Sequence, residues 1–269
     1  MNMVLRYPGA KWRIADWIIQ HMPKHHSYVE PFFGSGAIFF KKQPSKIETI
    51  NDLDSNVTNL FEVIRNDADK LAQTVYDTPF ARQLYDAAYT IKPNTALERA
   101  RIFLLKCWQG YGFRTNGYKV GWKRDICGRE AAYAVRNWNR LPGWILDIQD
   151  RLKTVQIENR PALEVIQAFN KPNVLIYCDP PYVLNTRIAK QYMYEMTDTD
   201  HIELLKALLA HKGTVMISGY DNALYNDILG TWQKYTCHTT DEKGVPRTEC
   251  LWIKYETIQN INLFEGAIA

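Results

Sequence analysis

The sequence predicts an α/β fold in which one open sheet is interrupted by a mainly helical insert that bears a β-hairpin. Short apolar strands alternate with helical segments from residue 28 onwards, this rhythm stops at about residue 61, and it resumes from residue 153. Alternation of strands and helices is typical of α/β sheets, because the helices cover the faces of the sheet. We therefore predict a sheet domain of residues 1–60 and 150–269 and an insert of residues 61–149.

The first half of the sheet domain has a βαβα pattern. Residues 12–21 have apolar positions at helical spacing and stop before Pro23. Residues 28–40 (YVEPFFGSGAIFF) predict a short strand, a glycine-rich turn and the start of an apolar helix. Residues 47–52 predict a second strand that ends on a carboxylate, and a helix follows over residues 54–67.

The insert and the second half of the sheet follow. In the insert, helices are predicted near residues 68–90, 96–108 and 129–139, and Asn116-Gly117 within residues 109–125 is a strong hairpin turn signal. Beyond it we predict buried strands at residues 153–159 and 173–182, a helix at 201–212, a strand at 213–220, and a closing hairpin of residues 232–240 and 248–255.

Composition narrows the class of protein. The chain has 269 residues, of which 46% are hydrophobic, enough for one sizeable core. No signal peptide is predicted, and no stretch approaches the roughly 20 apolar residues that span a bilayer. The five cysteines are scattered without a CxxC pair, which argues against a disulfide framework or a zinc site. We therefore predict a cytoplasmic protein with no membrane partner and no metal.

A basic, aromatic segment occupies much of the insert. Residues 99–140 contain ten Lys or Arg against two acidic residues, although the whole chain carries a net charge of only +4. Eight aromatic residues and several glycines are interleaved with these cations. Such a mixture is typical of a surface that contacts phosphates and bases, so we predict that the segment binds nucleic acid, with Lys123 and Arg124 on phosphates.

A glycine-rich turn follows the first predicted strand. Gly34 and Gly36 stand at a strand-to-helix junction, where glycines let a ligand approach the backbone, but Phe39 replaces the third glycine of a dinucleotide fingerprint. Glu30 before the turn is suited to a ligand's amine. Asp52, at the end of the second strand, is suited to both hydroxyls of a ribose. The pattern therefore predicts a site for a nucleoside with an amino-acid tail.

The tetrapeptide Asp179-Pro180-Pro181-Tyr182 follows an apolar strand, so it lies at a carboxyl end of the sheet, where open α/β folds bind ligands. Asp179 and the carbonyl of Pro180 can each accept one N–H of an exocyclic amine, which favours a pyramidal nitrogen whose lone pair points at a sulfonium methyl. Consecutive prolines hold that carbonyl in place, and Tyr182 offers a ring on which an extruded base can stack. Cys178, inside the strand, is predicted to be a buried residue rather than a nucleophile.

The segments around these motifs resemble the Dam-type N6-adenine DNA methyltransferases, the α class of the D12 family. RYPGAKWR, VEPFFGSGAIFF and INDLD are similar to its N-terminal motif, cofactor loop and ribose-binding segment, and CDPPY matches its catalytic motif. The similarity spans nearly the whole chain. It implies a Rossmann-like catalytic domain that uses S-adenosylmethionine and a target-recognition domain in the insert. It also implies methyl transfer to adenine N6 in double-stranded DNA by direct displacement after base flipping.

The resemblance assigns individual residues as well. It places Lys11 near the carboxylate of the cofactor, residues 157–159 beside the cofactor's adenine, and Arg6 at a basic DNA contact. The predicted cofactor-binding residues are Tyr7, Lys11, Glu30, Pro31, Phe32, Gly34, Ser35, Gly36, Asp52, Asn159 and Asp179. The predicted catalytic residues are Asp179, Pro180, Pro181 and Tyr182. The predicted DNA-binding residues are Arg6, Arg114, Asn116, Tyr118, Trp122, Lys123 and Arg124. The candidate base readers or duplex wedges among them are Arg114, Asn116, Tyr118 and Trp122.

Three alternatives stay open at this point. Cytosine N4 methylation uses a similar geometry, but Ser more often leads the motif in those enzymes, so Asp179 favours adenine. A DNA-binding relative without catalysis would not need the intact tetrapeptide. A small-molecule methyltransferase would have no use for the basic, aromatic insert. The recognition sequence, GATC included, and a cognate restriction nuclease as a partner are also left open.

Overall fold

The computed structural model describes residues 1–112, 114–126, 134–184, 191–240 and 246–255, and these contain one seven-stranded sheet. Its strands are β1 (Ser27–Glu30), β2 (Ile47–Asn51), β3 (Val155–Glu158), β4 (Val174–Cys178), β5 (Val215–Tyr220), β6 (Gln233–Thr240) and β7 (Pro246–Lys254). They lie in the order β3-β2-β1-β4-β5-β7-β6. The predicted α/β sheet is therefore confirmed.

The sheet is parallel in its centre and antiparallel at one edge. β1 pairs in parallel with β2 and β4, and β3 and β5 extend this parallel part on either side. β7 joins β5 in the antiparallel sense, and β6 pairs with β7 as the predicted closing hairpin. The chain first builds outward from β1 to β3 and then returns to the middle as β4. The carboxyl ends of β1 and β4 thus form a topological switch point, where open α/β sheets bind ligands.

Helices cover both faces of this sheet and form the insert. They are α1 (Ala15–Gln20), α2 (Ala37–Lys41), α3 (Ser55–Tyr76), α4 (Arg82–Ala87), α5 (Ala96–Gln109), α6 (Ala134–Leu152), α7 (Ala162–Ala168), α8 (Asp198–Leu209) and α9 (Ala223–Ile228). The short helices α7 and α9 were not predicted. No helix in the part of the chain that the structure describes is long and apolar enough to cross a membrane.

The core lies on both sides of the sheet because alternate strand residues point to opposite faces. In β4, Leu175 and Tyr177 join one cluster with residues of the long helices α3, α5 and α6. Val174, Ile176 and Cys178 join the other cluster, which is completed by α7, α8 and α9. A strand covered on both faces needs an apolar side chain at every position, which explains the continuous apolar run before the tetrapeptide.

A buried group of charges ties α6 to the sheet. Glu48 of β2 accepts hydrogen bonds from Arg151 of α6, at 2.9 Å to Nη2, and from Lys42, at 2.5 Å. All three side chains are almost fully buried. Both boundaries predicted for the insert fall inside helices, since α3 and α6 run past residues 60 and 149. The division into a catalytic and a target-recognition domain stays a prediction.

The hairpin predicted in residues 109–125 takes the form of a wide loop. Antiparallel pairing joins Gly110 and Trp122 at its base, and no strand forms among the described residues between them. Near the tip, Gly117 has a φ of 84°, and Oδ1 of Asn116 accepts a hydrogen bond from the main chain two residues on. This local bond forms an Asx turn, so Asn116 and Gly117 form a turn here without flanking strands.

Candidate active site

A cavity of about 480 Å³ opens at the carboxyl ends of β1, β2 and β4. This volume is in the usual range for small-molecule sites. Residues of both sequence motifs, the glycine-rich turn and the tetrapeptide of residues 179–182, line this cavity at the switch point. The structure brings nine of the predicted site residues to its wall: Tyr7, Lys11, Glu30, Phe32, Gly34, Ser35, Asp52, Asp179 and Pro181.

The glycine turn shapes one side of this cavity. Gly34 and Gly36 have φ of 49° and 66°, a left-handed conformation that favours glycine. A Cβ atom at Gly36 would lie 2.4 Å from the ring of Phe33, so no other residue fits there. The N–H of Gly34 donates to Oδ2 of Asp52 at 2.8 Å, which fixes the turn against the end of β2.

Burial raises the pKa values of two acids beside the turn, Asp52 and Glu30. Asp52 also accepts from the N–H of Asp54 at 2.9 Å, yet burial raises its pKa to about 7. Glu30 is 2% exposed, accepts from the hydroxyl of Tyr28 at 2.7 Å, and has a pKa raised to about 8 by burial. Buried carboxyls of this kind are stabilised by a cation or by hydroxyl donors. The pair is therefore suited to an ammonium group and a ribose.

Asp179 is held on both carboxylate oxygens. The hydroxyl of Ser218 donates to Oδ1 at 2.9 Å, and the ammonium of Lys11 lies 2.9 Å from Oδ2. A second hydroxyl, that of Tyr177, lies 2.9 Å from the Ser218 oxygen. Since a carboxylate offers about four acceptor positions, Asp179 keeps capacity for a further N–H. Lys11, predicted near the cofactor's carboxylate, thus lies in the cavity but pairs with Asp179.

Tyr182 is fixed by neighbours from three segments. Its hydroxyl donates to Oε2 of Glu249 at 2.7 Å. Its ring packs edge-to-face on Tyr220, with centroids 4.7 Å apart at 72°. The ammonium of Lys11 lies 4.6 Å from its centroid. Ser218, Tyr220 and Glu249 were missed as site residues, although they lie within segments that were predicted as strands.

Several predicted site residues do not line the cavity. Among the described lining residues, Pro31, Gly36, Asn159, Pro180 and Tyr182 are absent. The amide of Asn159 instead donates to the carbonyl of Asp52 at 2.7 Å, and the carbonyl of Pro31 accepts from a neighbouring asparagine at 2.8 Å. Asn159 and Pro31 therefore fix the backbone around the site. Residues 157–159, predicted beside the cofactor's adenine, do not line the cavity, whereas residues 161–163 do.

A further part of the wall, residues 192–196, was also missed. The N–H of Thr115 donates to the carbonyl of Gln191 at 2.9 Å, and the N–H of Met193 donates to the Thr115 hydroxyl at 2.7 Å. The hydroxyl of Tyr192 donates to the carbonyl of Pro8 at 3.1 Å. The loop of the insert is therefore joined to the rim of the cavity. No periodic pattern in residues 191–196 indicates this contact.

Two of the predicted DNA contacts lie in a second cleft. Arg6 and Lys123 line a cavity of about 460 Å³ together with Trp108 and Trp144. The guanidinium of Arg6 lies 5.4 Å from the centroid of Trp108, which is itself almost fully buried. This cleft brings the N-terminal segment beside the base of the insert loop.

The other predicted DNA contacts lie on the insert loop. Arg114 and Asn116 are partly exposed, and Tyr118 and Arg124 are exposed. Trp122 is half-buried, with Phe80 and Arg82 packed against its ring. Not all the aromatic residues of the basic segment belong to this surface, because three of them are core residues of α5 and α6. They are Phe103, Trp108 and Trp138. Phe113 and Tyr133 lie outside the described residues.

The described residues support neither a metal site nor a cysteine nucleophile. No group of His, Cys, Asp or Glu among them could hold a metal ion. Cys178 is fully buried, and burial raises the pKa of its thiol well above the usual value, which makes it unsuited to nucleophilic attack. The prediction that Cys178 is a core residue is confirmed.

Comparisons with known proteins identify the family to which the chain belongs. The family model for "D12 class N6 adenine-specific DNA methyltransferase" matches residues 7–243. The chain is 24% identical over 244 residues to a DNA adenine methylase of Salmonella typhi, covering 82% of this chain and 81% of that protein. It is 26% identical over 231 residues to Type II methyltransferase M.MjaIII of Methanocaldococcus jannaschii, covering 75% and 77%.

A solved structure of an rRNA methylase from Streptococcus thermophilus aligns with a TM-score of 0.38 at 8% identity. That alignment covers 90% of this chain and 93% of the other. The family assignment rests on the family model, which covers most of the sequence and includes both motifs of the cavity. The chain belongs to the D12 class of N6 adenine-specific DNA methyltransferases.

Proposed function

We propose that Asp179 and the carbonyl of Pro180 accept hydrogen bonds from the N6 amine of a flipped adenine in double-stranded DNA, beside S-adenosylmethionine in the 480 Å³ cavity. Methylation of adenine in DNA is the activity of the family, and use of S-adenosylmethionine is implied by it. One observation supports the residue assignment above all. Glu30 ends β1, Asp179 directly follows the neighbouring strand β4, and both residues line the same cavity.

The cavity wall fits the cofactor in this proposal. Asp52 would accept hydrogen bonds from the ribose hydroxyls, and Glu30 would face the ammonium group. Gly34 lets the cofactor approach the backbone of the turn. Leu53 and Leu163 provide apolar wall for the adenine ring. The cofactor supplies an electrophilic methyl group on its sulfonium.

The amine of adenine needs activation because its lone pair is delocalised into the ring. Two acceptors at fixed positions favour a pyramidal nitrogen and direct its lone pair at the methyl group, an effect of orientation. Ser218 and Lys11 would hold the Asp179 carboxylate in place for this contact. Transfer is a direct displacement, and the amine loses a proton after it has gained the methyl group.

The DNA would lie across the cleft and the insert loop. Arg6, Lys123 and Arg124 are proposed phosphate contacts, since cations on a partly exposed surface neutralise the DNA backbone. The proposed base readers or duplex wedges are Arg114, Asn116, Tyr118 and Trp122. The exposed ring of Tyr118, with 69% of its surface accessible, is the best placed to enter a duplex.

The assignment is tested with Asp179→Ala in a tritiated-methyl transfer assay on duplex DNA. We expect methyl transfer to be abolished while cofactor binding, measured by calorimetry, is retained. Asp227→Ala, which changes an exposed carboxylate on α9, is the matched control and should retain activity. Nucleosides from the digested product should contain N6-methyladenine and no N4-methylcytosine. Near-normal turnover of Asp179→Ala would refute the catalytic assignment.

A further inference from the structure

A buried acid from the antiparallel edge of the sheet reaches the catalytic tetrapeptide. Glu249 lies in β7, pairs with Tyr220 of β5, and is 7% exposed. Since Tyr220 ends β5, this register brings Glu249 to the carboxyl edge of the parallel strands. There it accepts the hydroxyl hydrogen bond of Tyr182 at 2.7 Å.

The energetics of this position argue for a role beyond packing. Burial raises the pKa of Glu249, which shows that the site disfavours the ionised carboxyl. A buried carboxyl is costly, and an apolar side chain of similar size would usually pack at least as well. What an apolar residue cannot provide is a directional acceptor for the Tyr182 hydroxyl.

The contacts around Tyr182 define a single ring orientation. The hydroxyl is held by Glu249, the ring packs in a T-shaped pair with Tyr220, and the ammonium of Lys11 lies over the ring. The Lys11 ammonium also pairs with Asp179, so the ring and the catalytic carboxylate share one neighbour. A binding group held by several neighbours keeps its geometry before the substrate arrives.

We propose that Glu249 is a positioning residue for methyl transfer, which fixes the ring of Tyr182 in the plane on which the flipped adenine stacks. The inference rests on the proposed function, because it assumes that Tyr182 stacks on the extruded base. Glu249 acts through the Tyr182 hydroxyl and has no contact of its own with the reacting atoms.

A double-mutant cycle tests this inference. Glu249→Ala and Tyr182→Phe each remove one side of the hydrogen bond, and each should slow single-turnover methyl transfer on the order of tenfold. The double variant should be no slower than either single variant, because both changes break one interaction. The affinity for DNA and for the cofactor should stay unchanged. The fluorescence change of a 2-aminopurine target should fall in all three variants.

Two further variants separate positioning from a structural role. Glu249→Gln keeps an oxygen acceptor and should recover most of the rate lost in Glu249→Ala. Thr248→Ala, on the neighbouring position of β7 where the hydroxyl lies 3.3 Å from His238, should leave the rate unchanged. Independent, multiplicative effects of the two single changes would overturn the inference, and so would a Glu249→Gln variant as slow as Glu249→Ala. Absence of methyl transfer to DNA by the unmodified protein would instead refute the proposed function.

Discussion

The ammonium of Lys11 lies 2.9 Å from Oδ2 of Asp179, joining the N-terminal segment to the tetrapeptide of residues 179–182. The lysine side chain is 6% exposed and that of the aspartate 18%, so solvent screens their attraction weakly. Removing one partner of such a pair leaves an uncompensated charge in the protein, whereas removing both does not. The contribution of this pair to the free energy of unfolding can therefore be tested independently of activity.

Lys11→Met should lower the free energy of unfolding by about 3 kcal/mol, because the Asp179 carboxylate loses its cation. The double variant Lys11→Met/Asp179→Asn should regain a substantial part of that loss. Urea denaturation of both variants and of Asp179→Asn completes the cycle. If the two single losses simply add in the double variant, the pair is not coupled.

Lys123→Ala or Arg124→Ala should weaken binding to duplex DNA and flatten its dependence on salt. Each phosphate contact removed should reduce the slope of log K against log salt by about 1. Fluorescence anisotropy with a labelled duplex at several salt concentrations measures this slope. Lys70→Ala is the control, since its exposed ammonium on α3 pairs with Asp67. A slope equal to that of the unmodified protein would remove the mutated residue from the phosphate contacts.

The affinity for the cofactor should depend on the ionisation of Asp52. The ionised carboxylate can accept from both ribose hydroxyls, and its population grows as the pH rises through its pKa of about 7. Affinity for S-adenosylhomocysteine, measured by calorimetry, should therefore increase with pH around that value. Asp52→Asn should bind more weakly and lose this increase, while any rise due to Glu30, whose pKa is about 8, should persist. An unaltered pH profile in Asp52→Asn would exclude the ribose contact.

Glu48→Ala should destabilise the protein by about 3–5 kcal/mol, because it leaves the cations of Arg151 and Lys42 buried without their shared carboxylate. Glu164→Ala provides the comparison, since its pair with Arg160 is half-exposed and should contribute less than about 1 kcal/mol. Urea midpoints of the two variants measure the difference. Equal losses would show that the buried group does not tie α6 to the sheet.

The parts of the fold and site that follow local rules were predictable from the sequence. The apolar run of β4 is continuous because helices cover both faces of the sheet, and the tetrapeptide begins where that run ends. Gly34 and Gly36 were informative because their left-handed φ values restrict those positions to glycine. Chain order then places both motifs at one edge of a parallel sheet.

The remaining site residues depend on contacts between distant segments. Glu249 reaches Tyr182 only through the register of β7 on β5, which no local pattern specifies. Trp108 and Trp138 resemble surface aromatics in sequence because cations flank them, yet α5 and α6 turn them into the core. The Asn-Gly pair correctly predicted a turn. The turn is an Asx turn in a wide loop, however, and not the tip of a two-stranded hairpin.

The contact of Thr115 with residues 191 and 193 has a consequence for engineering chimeras. Thr115 is 5% exposed and belongs to the insert loop, yet its hydroxyl and N–H hold the segment that forms one wall of the cavity. Under the proposed function, grafting the loop of a relative to obtain new sequence specificity would also alter cofactor affinity, unless the graft keeps a hydroxyl at this position. Swaps that join the donor loop on either side of Thr115 and retain it should exchange specificity at the least cost to turnover.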